Sequence, residues 1–412
     1  MFALVDCNNF FVSCERVFKP KLHNQPVVVL SNNDGCVIAR SNEAKALNIP
    51  MGVPVFKVKD IIAQHNVQMF SSNFELYGDM SARVMQILYE NCPKMEIYSI
   101  DEAFLDLSSI KNVEEFIIDL QNKVFKWTGL PISIGVGPTK VLAKTANYFA
   151  KKHVCNYLYI INGDNIDECL AKFPVGEVWG VGRRLAERLK AFNIHTALDL
   201  ANMDNKFIRK IHNVILERLH LELNGIQCLK VDDVEEPNKK SIASTRSFGK
   251  ALENIADIEE AISNYIATAS LKLRKQKSLA RAMQIYIRTN RFKVNHSYMS
   301  KTIIFSDPTD DTSFMITSAK KALKELFVAG LKYNKAGILL FDFIPKSEVQ
   351  ISLISEHKPN EKLMAVMDKV NSNMKKKVLF FAAQGIKREW QMKSGKRSNR
   401  YTTEWNELLE VK

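Results

Sequence analysis

Two short apolar runs that lead into carboxylates restrict this chain more than any other feature. Phe2-Ala3-Leu4-Val5 runs into Asp6, and Ile97-Tyr98-Ser99-Ile100 runs into Asp101-Glu102-Ala103-Phe104-Leu105. Both have the length and the β-branched or aromatic content of buried strands. An acid inside such a strand costs on the order of several kcal/mol unless something compensates it. A divalent cation is the natural compensator. Oxygen ligands suit Mg²⁺ or Mn²⁺, and no His or Cys set for zinc lies nearby. Two such ions, roughly 4 Å apart, clamp the attacking and leaving oxygens of a phosphoryl transfer. The alternative is a turn residue at Asp6 and ordinary strand-end charges at Asp101 and Glu102.

At 412 residues the chain has room for two to four domains with sizeable cores. Its net charge of +13 favours a polyanionic partner, nucleic acid or an anionic membrane. No run reaches the ~18 apolar residues of a spanning helix, which argues against a membrane protein. The N-terminus lacks a basic start and a cleavage site, which argues against secretion. The seven cysteines are scattered, with no C-x-x-C pair, as expected of reduced thiols in a cytoplasmic protein.

Along the chain, Val27–Leu30, Asn32-Asn33-Asp34-Gly35 and Cys36–Ala39 read as strand, turn, strand, with Asp-Gly as the hairpin signal. Ser41–Leu47 reads as a short capped helix. A longer helix is expected from Glu75 to Glu90, with Leu76, Met80, Val84, Ile87 and Leu88 on one face. Further helices are expected near 113–127 and 138–152, with a strand at 131–137 between them. In the second of these helices Lys140, Lys144 and Lys151 share one side, at i, i+4 and i+11. They form either a solvated face or a functional one. Gly135-Val136-Gly137-Pro138-Thr139-Lys140 lacks the second element of a P-loop and is not one. The order strand, long insertion, helix, strand, helix, strand fits an antiparallel α+β palm better than a parallel doubly wound sheet.

Residues 164–228 read as all-helical. Within them Val178-Trp179-Gly180-Val181-Gly182-Arg183-Arg184 has the form of a helix-hairpin-helix, which points free amides at a phosphate; a plain helix–helix turn is the alternative. Residues 229–240 have the polarity and proline of a linker. Residues 241–345 form another α+β unit. Over 241–300 there are ten Lys and Arg against four Asp and Glu. In Ala282–Arg288 residues 283, 285 and 287 make an apolar face and 284, 286 and 288 a polar one. A sheet with one wet, basic face suits a phosphate backbone, though a solvated surface has the same pattern. Residues 346–412 are basic and contain short helical stretches.

Asp6-Cys7-Asn8-Asn9-Phe10-Phe11, Val27–Val29, Ile38-Ala39-Arg40, Glu43-Ala44-Lys45, Ser99–Phe104 and the helix-hairpin-helix together resemble a Y-family DNA polymerase. Ser31–Arg40 and the tail, with Gln384-Gly385-Ile386, Trp390–Lys393 and Arg400–Thr403, narrow the resemblance to the UmuC subfamily, the catalytic subunit of bacterial DNA polymerase V. The resemblance implies a right-hand α+β multidomain fold: a ferredoxin-like palm (1–10 and 73–163), small fingers (11–72), a helical thumb (164–228), a linker (229–240), a little finger (241–345) and a C-terminal extension (346–412). It implies error-prone, template-directed synthesis opposite damaged bases in the SOS response. Asp6, Asp101 and Glu102 would be the catalytic carboxylates and, with the Cys7 carbonyl, the ligands of two Mg²⁺ ions, or of Mn²⁺. Phe10, Phe11, Arg40, Lys45 and Lys151 would meet the nucleotide, Phe11 as the steric gate against a 2′-hydroxyl. Gly180, Gly182, Arg183, Arg246, Arg274 and Arg288 would meet DNA. Gln350, Leu353 and Ile354 resemble a sliding-clamp peptide. The implied partners are primer–template DNA, a deoxynucleoside triphosphate, a processed UmuD dimer, a RecA filament and the clamp, with no membrane, in the cytoplasm at the nucleoid. Aromatics of the tail (Phe380, Phe381, Trp390, Tyr401, Trp405) would serve as the UmuD contact. A palm-type nucleotidyl cyclase and a catalytically silent DNA-binding scaffold are the rival readings. The helix-hairpin-helix and basic sheet argue against the first, and the three retained acids against the second.

Overall fold

The computed structural model describes residues 1–152, 156–204, 208–209, 214–231, 238–349, 360–374, 377–386 and 388–409. The chain divides into two units. The first comprises Met1–Ser31, Gly35–Glu235 and Lys396–Lys412, and the second Asn32–Asp34 and Glu236–Gly395.

The first unit opens on β1 (Phe2–Cys7), every residue of which is buried. The helix Phe10–Phe18 leads to a small sheet of β2 (Val27–Leu30), β3 (Val37–Arg40) and β4 (Gln68–Ser71), in the order β3-β2-β4. The hairpin between β2 and β3 exists, but Asp-Gly does not make its turn. Asn33 and Asp34 take the positive φ values, 61° and 51°, and Gly35 stays at −82°. Short polar side chains tolerate that conformation by bonding their own backbone. The helix Phe74–Asn91 buries the expected face and adds Tyr77 to it.

β5 (Met95–Ile97) and β6 (Glu102–Asp106) then replace the single strand expected over 97–105. They pair antiparallel, and the Tyr98 and Ser99 amides both donate to the Glu102 carbonyl. The apolar Ile97, Tyr98 and Ile100 are therefore exposed at a turn rather than buried. After the helix Val113–Thr128 come β7 (Ile132–Gly137), the helix Lys140–Lys152 and β8 (Leu158–Ile160). The sheet order is β5-β6-β1-β7-β8, with β1 antiparallel to both neighbours and β8 parallel to β7. Gly135 has a packing reason: a Cβ there would lie 2.0 Å from the Asn147 amide nitrogen of the helix laid across it.

Short helices from Ile166 to Leu223 share a core with Val141, Leu142 and Ala146. Residue 231 departs from the linker reading. Val231 is 7 % exposed and packs with Phe2, Leu4, Phe104 and Ala143. Residues 232–237 lie outside the described set. Residues 396–409 also belong to this unit. Tyr401 stacks on Phe18 at 4.6 Å, and Asn73 donates to the Ser398 carbonyl.

In the second unit β9 (Ser241–Leu252), β10 (Ser278–Thr289), β11 (Tyr298–Thr309) and β12 (Tyr333–Pro345) form an antiparallel sheet in the order β11-β10-β12-β9. Met283, Ile285 and Ile287 are fully buried beneath the helices Ile255–Lys275 and Thr312–Leu326. A further helix, Glu361–Asn373, belongs to the same unit.

Candidate active site and nucleic-acid interface

Strand register brings the acids together. Asp6 on β1 stands directly opposite Glu102 on β6. Asp101 is half-buried in the turn before β6, and its carbonyl accepts from the Cys7 amide at 2.9 Å. Burial raises Asp6 to about 7, against the pull of Lys151, and the adjacent Glu102 adds to the rise. Burial acts on Glu102 too, but Lys144 holds it below the usual carboxylate value. Two carboxylates this close repel one another, which adds to the effect of burial on Asp6.

Each of the three lysines faces a carboxylate, and of the three Lys151 is the exposed one. Lys140 is buried, with Nζ 2.5 Å from Glu96. Lys144 Nζ lies 2.8 Å from Glu102 Oε2, and Lys151 Nζ 2.6 Å from Asp6 Oδ2. The donor set suits a hard divalent ion: carboxylate oxygens converge, and two ammonium groups neutralise them. Asp101 is turned aside, because the Ser99 hydroxyl donates to its Oδ1 at 2.6 Å. Among the described residues no three acidic, His or Cys side chains are gathered as a ligand cluster.

Beside the acids, Phe11 stacks on Tyr77 at 4.6 Å and meets Phe74 edge-on at 5.9 Å. The Tyr77 hydroxyl donates to the fully buried Glu15, as does Ser398 Oγ. Phe11 thus leans on a buried hydrogen-bond set that includes the C-terminal tail. Phe10 is 4 % exposed and packs in the core. Lys45 lies among cations. Its pKa is lowered by burial first, then by Arg40 and Lys151. Mutual repulsion of that kind is relieved by a polyphosphate.

Residues outside the expected site set contribute as well. Asn9, in a left-handed conformation, and Asn42 both accept from Lys45 Nζ, at 2.6 and 3.2 Å. Asn42 lies at the start of a helix capped by Ser41, the one local signal that could have found it. Tyr98 and Trp179 flank Lys144, with Nζ 4.6 and 5.8 Å from their ring centres, and the Trp179 indole donates to the Tyr98 hydroxyl. Trp179 lies inside the helix-hairpin-helix motif and ties it to the carboxylate sheet.

In that motif Gly180 has φ +91°, and a Cβ there would meet Leu219 at 2.8 Å. Gly182 begins the helix Arg183–Ala191 without a side-chain cap, and Gly180, Gly182, Arg183 and Arg184 are all exposed. In the second unit Arg288 is on the polar face of β10, in register with Tyr298 and Lys335, and Tyr286 stacks on Tyr298 at 5.5 Å. Two expected DNA contacts are not on this face. Arg274 is bound on both sides: Nε and Nη2 donate to Asp368 at 2.7 and 3.0 Å, and Nη1 to the Asp310 carbonyl and Thr312 Oγ1. Arg246 pairs in register with the buried Ala336 and lies on the helical side, near Tyr265. Of the tail aromatics, Trp390 and Tyr401 are buried, while Trp405 is 84 % and Phe380 39 % exposed. Gln350, Leu353 and Ile354 lie outside the described residues.

Comparison with known proteins matches the impB/mucB/samB family over residues 5–148, the C-terminal domain of that family over 239–353 and its HHH motif over 163–194. A domain of unknown function matches 361–411. The chain is 43 % identical to protein UmuC of Salmonella typhimurium, covering 100 % of both, and 38 % identical to protein MucB of Escherichia coli, covering 99 % of both. It is 26 % identical to DNA polymerase IV 1 of Bacillus subtilis over 91 % of each chain. Among solved structures it is similar in fold to a Y-family DNA polymerase chimera, with TM-score 0.67, 22 % identity and 84 % of this chain covering 100 % of that one. No described helix is long and apolar enough to cross a membrane. With its carboxylate sheet, its helix-hairpin-helix and its full-length likeness to UmuC, this chain belongs to the impB/mucB/samB family of Y-family DNA polymerases and is a DNA-directed polymerase of translesion synthesis.

Proposed function

We propose that Asp6, Asp101 and Glu102 are the carboxylates of nucleotide addition, and that β1, β6 and the helix Lys140–Lys152 form its palm. The cross-strand register of Asp6 and Glu102 carries this reading. Two Mg²⁺ ions would be held by the three carboxylates and the Cys7 carbonyl, with Asp101 turning away from Ser99. When bound, such ions lower the pKa of an attacking hydroxyl and stabilise a leaving pyrophosphate. The remaining work falls to the chain itself. Lys151 and Lys45, with Arg40, supply fixed positive charge along a triphosphate. Phe11, backed by Tyr77, blocks the position of a ribose 2′-hydroxyl. Little else restricts the incoming base, so discrimination beyond base pairing is small and a damaged template is tolerated.

The helix-hairpin-helix would hold the duplex backbone through Gly180, Gly182 and Arg183, and the wet face of β10 would do so through Arg288. We assign 11–72 to fingers, 164–228 to thumb, 241–345 to little finger and 346–412 to an extension. The exposed Trp405 and Phe380 support docking of a processed UmuD dimer on that extension. Dependence on a RecA filament, binding of the sliding clamp through Gln350, Leu353 and Ile354, and action at the nucleoid belong to the same reading.

Primer extension past an abasic site tests it. In Mg²⁺, Asp101→Asn is expected to abolish extension while DNA binding persists. Extension near the wild-type rate would remove Asp101 from the carboxylate set.

A further inference from the structure

In the second unit Lys377 and residues 388–392 meet the helix Ile255–Lys275 and strand β9 around a pocket of about 270 Å³. Arg246, Lys377 and Arg388 all face it, and among the described residues no carboxylate lines it. The nearby acids are engaged elsewhere. Glu260 accepts from the Trp390 indole at 2.7 Å, and Glu389 pairs with Lys250. Three cations with no counter-charge in a recess repel one another. Burial lowers the pKa of Lys377, and the charge of Arg388 lowers it further.

Tyr265 lines the same pocket. It is 4 % exposed, packed edge-on against Trp390, and its hydroxyl has no hydrogen-bond partner among the described residues. Arg388 Nε is likewise buried and unpartnered. A buried tyrosine hydroxyl ordinarily finds an acceptor. Here burial raises the phenol's pKa, so the group keeps its proton and remains a donor. Among the described residues the two buried, unpartnered atoms of the pocket, the Tyr265 hydroxyl and Arg388 Nε, are both donors, while Lys377 donates to Thr268 Oγ1 and Arg246 to the Thr245 carbonyl.

We propose that this pocket is an oxyanion site that takes a phosphate group, with Tyr265, Arg246, Lys377 and Arg388 as its donors. Two guanidinium groups, an ammonium and a hydroxyl can serve three or four oxygens of a tetrahedral dianion, more than a carboxylate presents. The recess ends on a buried ring, so it suits a terminal or free phosphate rather than a diester strand running through. The source would be a nucleotide or the phosphorylated end of a nucleic acid.

The full-length chain tests this by thermal melting in inorganic phosphate against chloride at matched ionic strength. Tyr265→Phe removes a hydroxyl that holds nothing, so its melting point in chloride is expected to match or exceed wild type. Its apparent phosphate affinity is expected to fall roughly tenfold, the worth of one charge-assisted hydrogen bond. Lys377→Gln with Arg388→Gln is expected to lose more, while Lys151→Gln keeps the effect. Unchanged affinity in both pocket variants, or loss in Lys151→Gln alone, would overturn the assignment. Competition by a mononucleotide, against 5′-phosphorylated and 5′-hydroxyl oligonucleotides, separates the sources. If none of these competes better in wild type than in the double variant, the site is not a phosphate site.

Discussion

Arg274→Met separates two roles that the residue's basic surroundings confuse. If Arg274 met DNA, its loss would remove one phosphate contact and reduce the log–log salt slope of binding by about 0.9. The structure gives it a different task. Its side chain is 14 % exposed and donates to both oxygens of Asp368 on the helix Glu361–Asn373, to the Asp310 carbonyl and to Thr312. Removing one partner of such a pair costs about 3 kcal/mol, the low end for buried pairs, because Asp368 at 28 % exposure regains some water. At 1.36 kcal/mol per decade, local opening of that helix should become about a hundredfold more frequent. Hydrogen exchange of 361–373 measures this, with the exposed Lys275→Gln as the comparison. Unaltered exchange together with a salt slope reduced by about 0.9 would refute the reasoning and return Arg274 to the DNA surface.

Phe11→Ala should admit ribonucleotides if the ring stacked on Tyr77 is the obstacle proposed above; an unchanged ratio of dCTP to CTP incorporation would make Phe11 a packing residue only. Glu15 gives a pH dependence. Burial raises its pKa above the ordinary 4.5, with one carboxylate oxygen unpartnered among the described residues, so the folded state holds its proton more tightly than the unfolded chain. Its contribution is fullest below about 4.5 and is lost as pH rises through the folded value. Glu15→Gln should flatten that fall in melting temperature, and a parallel curve would locate the titration elsewhere. Trp405→Ala with Phe380→Ala should reduce recovery of processed UmuD in co-purification without lowering the melting point. Trp390→Ala should instead destabilise the second unit by about 3 kcal/mol, read by denaturant unfolding, because that ring is in the core.

Local pattern determined much of this protein by itself. The apolar runs marked β1 and β7, the 3.6-residue period marked the helices, and alternation over 283–288 separated the buried and wet faces of β10, because side-chain direction follows backbone geometry. The spacing of Lys140, Lys144 and Lys151 put them on one side of a helix. Only the tertiary structure put a carboxylate in front of each, since Glu96, Glu102 and Asp6 reach them through sheet order rather than chain order. The same limit explains the misreadings. Ile97 to Leu105 had strand composition throughout, yet the chain turns at 98–101, where the Tyr98 and Ser99 amides donate to the Glu102 carbonyl and the Cys7 amide of β1 donates to the Asp101 carbonyl. Arg274 had the neighbours of a DNA contact, but Asp368 lies 94 residues further on. Trp390 and Tyr401 had the composition of a docking surface, and distant partners, Tyr265 and Phe18, covered them. Periodicity tells which side of an element a residue occupies; what covers that side is decided by contacts between segments far apart in the chain, and those form only when the whole fold closes.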